Sequence, residues 1–261
     1  MRAGWLAALL LVGCGSAAPD ENTELQDIFR NDVETRTPAT VDQRRWTVSL
    51  GGCTGSMLAR DVVLTAAHCS PRVGATYTSG GCLALGTCSR DLRVTQVLEQ
   101  SGAHDYAILK VERLNAAAVK ETRYAPAILV DAKTLVVGRD GGNTTALVTV
   151  GFPGDKQGPW HATGFAKRLD ARTLAYNVGS INGNSGGAIW RASDMTLVSQ
   201  TNFGPHMLGQ SGWKNNDLEN PRAWNGGGRM DVIYAQSRVL QTLFPNGKNP
   251  AVNSDGRLKG E

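Results

Sequence analysis

Ser185 sits in Gly183-Asn184-Ser185-Gly186-Gly187, a run of small residues that leaves the backbone amides open to an approaching substrate. A hydroxyl that attacks a carbonyl creates an oxyanion, and the amides of Gly183 and Ser185 are the donors placed to face it. Serine is a poor nucleophile at neutral pH until a base takes its proton. The candidate base is His68, in Leu64-Thr65-Ala66-Ala67-His68-Cys69. Histidine in turn needs a carboxylate to fix its tautomer and stabilise its charged form. Asp105 heads the run Asp105-Tyr106-Ala107-Ile108-Leu109-Lys110-Val111 and is the candidate; Asp91 competes, but lies close after His68 and lacks that apolar setting. His104, His161 and His206 have no comparable partner. Nucleophile, base and orienting acid together are the apparatus of acyl transfer.

Short β-rich runs separated by turns carry these residues. They are Trp46 to Leu50, Val62 to Thr65, Leu92 to Leu98, Tyr106 to Val111, Ala127 to Val130, Leu135 to Gly138, Leu147 to Val150, Leu174 to Val178, Ala188 to Trp190 and Leu197 to Gly204. With 31 glycines and 6% aromatic residues, the chain suits many strands and turns better than long helices. At 261 residues, 41% hydrophobic and 19% charged, it can bury one large core or two small ones. Met230 to Phe244 has helical apolar spacing that stops at Pro245, and the polar residues 246–261 are expected to be disordered. A net charge of +4 without a dense Lys/Arg block gives no case for nucleic acid. Gly151-Phe152-Pro153-Gly154-Asp155-Lys156 lacks the spacing to a Gly-Lys-Ser/Thr, which excludes a phosphate-binding loop.

The chain order His68, Asp105, Ser185 and the motifs around each resemble the chymotrypsin-fold, trypsin-like serine proteases. Gly151 to Lys156 resembles the Gly-Tyr-Pro-Gly-Asp-Lys turn of the bacterial glutamyl-endopeptidase branch. The resemblance implies an all-β fold of two six-stranded antiparallel β-barrels, residues 41–130 and 131–245, with the active site between them and a closing C-terminal helix. It implies a serine endopeptidase that cleaves protein or peptide substrates through an acyl-enzyme, as a monomer, with no cofactor and no metal. The alternative is a catalytically silent, protease-like surface binding protein. Gly179, Ser180, Thr201, Asn202, Phe203 and Gly204 would form the substrate pocket. Ser180 stands near where enzymes that cut after Lys or Arg carry an aspartate, so a basic P1 residue is disfavoured. Ser180 matches glutamate-specific pockets, but the histidine those enzymes carry on the next strand is replaced by Thr201 or Asn202, leaving P1 open between Glu and a small or polar residue. Asn184 replaces the aspartate that in many members pairs with a freshly cut N-terminus, so that activation switch is not expected. Ile28 to Arg36 loosely resembles the mature start of the glutamyl-endopeptidase-like enzymes; a short amphipathic turn built on Leu25, Ile28 and Phe29 is the other reading.

Arg2 followed by the apolar Trp5 to Val12 is the pattern of an export signal, assigned to residues 1–13. Leu11-Val12-Gly13-Cys14 resembles a bacterial lipobox, which implies lipidation of Cys14, a membrane anchor and a cell-envelope location; an ordinary cut near Ala17 would give a secreted protein instead. Residues 14–40 read as a polar spacer. Setting Cys14 aside leaves Cys53, Cys69, Cys82 and Cys88, which allow three pairings. Cys53 and Cys69 resemble the family's histidine-loop disulfide, and Cys82 and Cys88 could close a small loop. Their spacing fits zinc poorly.

Overall fold

The computed structural model describes residues 36–138, 143–204 and 224–260. The signal segment, Cys14, the Ile28 segment before Arg36, and His206 lie outside the described residues. The described residues open with β1 (Thr37–Pro38) and the short helix α1 (Val41–Arg44), then build β2 (Val48–Ser49), β3 (Thr54–Ala59), β4 (Val62–Thr65), β5 (Thr76–Ser79), helix α2 (Gly80–Leu85), β6 (Leu92–Ser101) and β7 (Tyr106–Arg113). Six of these strands close into a barrel in the order β2-β3-β4-β7-β6-β5.

Alternation along the strands explains how this barrel both fills itself and meets the second half. On β3, β4 and β7, Met57, Val63, Ala107, Leu109 and Val111 join Val48, Leu92 and Val94 in one buried cluster. Their sequence neighbours Leu58, Val62, Leu64, Tyr106 and Ile108 join a different cluster, shared with Leu147, Ile189, Trp190 and Leu197 of the second half. Strands buried on both faces read as continuous apolar runs, as Val62-Val63-Leu64 does. Trp46 meets Trp190 edge to face across the same seam, with ring centroids 5.4 Å apart.

Helix α3 (Ala116–Glu121) leads to β8 (Ala127–Ile128), β9 (Ala146–Gly151), β10 (Trp160–Leu169), β11 (Thr173–Tyr176), β12 (Ala188–Arg191), β13 (Thr196–Gln200) and β14 (Asn225–Gly228). They form a sheet in the order β14-β11-β10-β9-β12-β13-β8, with β1 added against β10. The all-β class and the closed first barrel match expectation, whereas the second half, among the described residues, is an eight-stranded curled sheet and not a closed six-stranded barrel. Two of its strands come from outside the expected span of 131–245: β8 pairs in parallel with β13, and Thr37 and Pro38, assigned to the spacer, pair with His161 and Trp160. Leu135 to Gly138 is not a strand but an irregular stretch after a 3₁₀ turn at Ala132–Thr134.

The closing helix is two helices, α4 (Met230–Gln236) and α5 (Arg238–Leu243). Ser237 is extended between them, and its hydroxyl accepts from the Leu240 amide to start α5. The apolar period survives the break, because Ile233, Leu240 and Phe244 are all buried in the shared core. Residues 246–260 also correct the expectation of disorder. Asn249 is 5% exposed and its amide donates to the carbonyls of Leu58 at 2.9 Å and Ala125 at 3.1 Å. Val252 enters the core of the first barrel. Polar composition hid this packing, because the amide satisfies backbone acceptors that would otherwise be buried without partners. Among the described residues no helix is long and apolar enough to cross a membrane.

Candidate active site

The histidine is placed by the end of β4. Four buried residues, Val62 to Thr65, run into the small Ala66 and Ala67, and a 3₁₀ turn at Ala67–Cys69 swings His68 out of the core. Cys69 is disulfide-bonded to Cys53 in the loop between β2 and β3, which ties down the residue after the histidine. Cys82 and Cys88 form the second disulfide. Cys53, Cys69 and His68 lie close enough together to look like a ligand set, but both sulfurs are spent in the disulfide.

Asp105 sits in the turn between β6 and β7 with φ +50°, a left-handed conformation that aspartate tolerates better than most residues. One carboxylate oxygen accepts from the His68 backbone amide at 2.9 Å; the other accepts from His68 Nδ1 at 2.7 Å and from Asn202 Nδ2 at 2.8 Å. Its carbonyl accepts from Asn202 Nδ2 at 2.7 Å and Gln200 Nε2 at 2.6 Å. Asn202 is itself held, since its Oδ1 accepts from the Gly228 amide. Asp105 is thus clamped from both halves of the molecule. A carboxylate accepting from Nδ1 fixes the proton there and leaves Nε2 as the basic nitrogen of His68. The hydrogen bond to Asp105 raises the His68 pKa above its ordinary 6.5, burial opposes it, and the Asp105 charge adds to the rise. For Asp105, burial pushes upward, but the hydrogen bonds from the His68 ring, the His68 amide and Asn202 outweigh it and hold the carboxyl low.

Ser185 lies in a loop pinned by backbone bonds on every side. Thr54 N donates to Ser185 O at 2.9 Å, Gly186 N to Thr201 O at 2.7 Å, Thr201 N to Gly187 O at 2.8 Å and Asn184 N to Ile181 O at 3.0 Å. The Thr54 hydroxyl donates to Gly183 O at 2.8 Å. The two amides that remain, those of Gly183 and Ser185, bond to no described residue. Gly183 has φ +96°, and a Cβ there would stand 2.2 Å from Phe152 O; Gly186 has φ +80°, and a Cβ there would stand 2.3 Å from Thr65 Oγ1. Only glycine fits either place. Asn184 is buried, with its Oδ1 over the Gly151 backbone.

His68, Asp105 and Ser185 line one cleft of about 790 Å³ between the two halves, together with Ser180, Thr201, Asn202, Phe203 and Gly204. Gly179 does not line it, nor does Gly183, although Asn182 and Ser185 do. Ser180 and Thr201 are 3% and 5% exposed, and Tyr176 donates its hydroxyl to Thr201 Oγ1 at 3.4 Å. The Phe203 ring packs over Gly226, where a Cβ would meet it at 2.6 Å. His104, Arg172 and Thr173 line it as well. The sequence pattern marks Gln200 and Thr54 only as strand residues and Asn202 only as a pocket wall. Each acts on a residue distant in the chain, so no local motif marks it.

A family model described as "Trypsin-like peptidase domain" matches residues 53–198. Among solved structures, one described as "Structure of Glu endopeptidase in complex with MPD" superposes with a TM-score of 0.56 at 20% identity, over 80% of this chain and 99% of that one. Human heparin binding protein superposes with a TM-score of 0.59 at 15% identity, over 84% of this chain and 100% of that one. At these identities the likeness is one of fold. No curated protein matches the chain.

Proposed function

Because the chain belongs to the trypsin-like peptidase family, we propose that it is a serine endopeptidase with Ser185 as nucleophile, His68 as general base and Asp105 as the group that orients and charges the imidazole. The observation that carries this reading is the two-point grip of Asp105 on His68, through Nδ1 and the backbone amide, in the cleft that Ser185 also lines. His68 Nε2 takes the Ser185 proton as the hydroxyl oxygen bonds to the scissile carbonyl carbon. The tetrahedral oxyanion is met by the Gly183 and Ser185 amides. His68 then protonates the departing amine and the C–N bond breaks, leaving an acyl ester on Ser185. Water, deprotonated by His68, repeats the sequence and frees the serine.

The pocket disfavours a basic P1 residue and leaves Glu and small or polar residues open. Ser180 and Thr201 offer hydroxyls, and among the described lining residues the one carboxylate, Asp105, is occupied by His68 and Asn202. Among the described lining residues a basic P1 side chain meets no free carboxylate, while small or polar residues meet hydroxyls, and Glu can be received by the hydroxyls as donors in a cleft that Arg172 also lines. Two disulfides fit an exported protein, and the lipidated Cys14 would hold it on the cell envelope as a monomer acting on proteins or peptides. Cleavage of a peptide library by the purified chain, set beside Ser185→Ala, tests the proposal. Internal cuts that vanish in the variant support it; cuts that persist overturn the assignment of Ser185 as nucleophile, and no cuts in either protein favour the silent binding protein.

A further inference from the structure

Arg36 stands well outside the catalytic groups, yet its side chain is 1% exposed and grips Asp155 with both arms of the guanidinium, Nη1 to Oδ1 at 3.0 Å and Nη2 to Oδ2 at 2.7 Å. The residues after it are laid along the second sheet. Thr37 and Pro38 pair with His161 and Trp160, and Ala39 N donates to Pro159 O at 3.0 Å. The segment is therefore fastened to the hairpin of β9 and β10, and its charge is fastened to the turn at the hairpin's tip.

That turn holds the peptide on which the oxyanion hole depends. The Gly183 N–H and the Asn182 C=O belong to one rigid, planar peptide unit, so fixing the carbonyl fixes the direction of the amide. Asn182 O accepts from Gly154 N at 2.7 Å, and Gly154 is the residue before Asp155. Phe152 contributes from the other side. Its amide donates at 3.0 Å to the Thr54 hydroxyl that holds Gly183 O, and its carbonyl occupies the space a Gly183 side chain would need. Asn184, which is uncharged, cannot do this work through an ion pair.

We propose that Arg36 is a positioning residue of the oxyanion hole: its ion pair with Asp155 locks the turn at residues 152–155, and Gly154 in that turn holds the Asn182–Gly183 peptide with its N–H directed into the cleft. The inference rests on the serine-endopeptidase reading. It gives the segment ahead of the first barrel a role in the chemistry without a new N-terminus, and it assigns a purpose to the Asp155 of Gly151-Phe152-Pro153-Gly154-Asp155-Lys156.

The test compares Arg36→Ala, Arg36→Lys, Asp155→Asn and Arg36→Ala/Asp155→Asn with the parent chain, using a cleaved peptide as substrate and a peptidyl aldehyde as a mimic of the tetrahedral adduct. All rates are taken per active site titrated with a fluorophosphonate, so loss of folded protein does not count. Removing an oxyanion donor outright costs about 10²–10³ in kcat, and loosening one should cost about 10- to 100-fold. Arg36→Ala is expected to lower kcat by that factor with KM within about threefold. Aldehyde affinity should fall in parallel, the double variant should be no worse than either single, and lysine should rescue only partly because it lacks the fork. If Arg36→Ala does not fold, Asp155→Asn, which keeps the volume, reads the same quantities. Unchanged kcat per titrated site, or a loss confined to thermal stability, overturns the proposal. If the parent chain cleaves no peptide, the endopeptidase reading falls and this one with it; if it cleaves and the variants match it, this inference alone falls.

Discussion

Asp105→Asn replaces two equivalent acceptors with one acceptor and one donor at a point where three N–H groups converge. If the new Oδ1 takes the place of the oxygen that serves His68 Nδ1 and Asn202 Nδ2, the NH₂ is driven against the His68 backbone amide, which cannot rotate away. With the amide reversed, Oδ1 serves that backbone amide, the NH₂ donates to Nδ1, and the remaining clash falls on the Asn202 side chain. Each orientation keeps two bonds, but the first puts its clash on fixed backbone and the second on the Asn202 side chain, which can shift at the expense of its bonds to Gly228 and the Asp105 carbonyl, so the second should prevail. Nδ1 then accepts, Nε2 carries the proton, and His68 has no lone pair for Ser185. Loss of the base by tautomer in this way costs about 10⁴ in kcat, or about 5.5 kcal/mol at 1.36 kcal/mol per decade. Steady-state kinetics on a peptide at neutral pH measures the loss, and nitrogen NMR of the imidazole reports which nitrogen is protonated. A kcat within tenfold of the parent, or a proton still on Nδ1, would refute the reasoning.

The pH dependence follows from the same pair. Acylation needs neutral His68, whose pKa is raised chiefly by the hydrogen bond to Asp105, so kcat/KM should rise with pH through a midpoint above 6.5; a midpoint below 6.5 would contradict the assignment. In stability terms, the raised His68 pKa contributes below 6.5 and is lost as pH rises through the folded value. The lowered Asp105 pKa contributes above its ordinary 3.8 and is lost as pH falls through the folded value. Asp105→Ala should therefore lower Tm most between those limits, as thermal melts across pH will register. Asn249→Ala leaves the carbonyls of Leu58 and Ala125 buried without donors and should cost about 2 kcal/mol in chemical denaturation, where a disordered tail would cost nothing. Replacing Cys53 and Cys69 together by serine opens a loop of 16 residues and should cost about 3 kcal/mol, with activity lost at denaturant concentrations below the global midpoint because the loop carries His68.

That His68, Asp105 and Ser185 meet in one cleft was legible because each follows or precedes a run whose pattern is local: three aliphatic residues and small ones before His68, an apolar strand after Asp105, glycines around Ser185. The strands of the first barrel were legible for the same reason, being buried on one or both faces. What escaped is what acts across the chain. Gln200 and Asn202 reach Asp105 over more than ninety residues of sequence, Arg36 reaches Asp155 over more than a hundred, and Asn249 reaches Leu58 from a tail that looks wholly polar. Asn225-Gly226-Gly227-Gly228 forms β14 without any β-forming side chain, because its backbone is paired to β11 while Phe203 and Gln200 press on its glycines. Local propensity argues against that strand, and tertiary pairing overrides it.

The proposed function requires His68 to make the Ser185 hydroxyl nucleophilic. Reaction of the full chain with a fluorophosphonate, followed by peptide mass spectrometry, tests it most directly. A single phosphonyl adduct on Ser185 is expected, formed far more slowly in His68→Ala and absent in Ser185→Ala. An adduct on another residue, or labelling of Ser185 at an unchanged rate without His68, would contradict it.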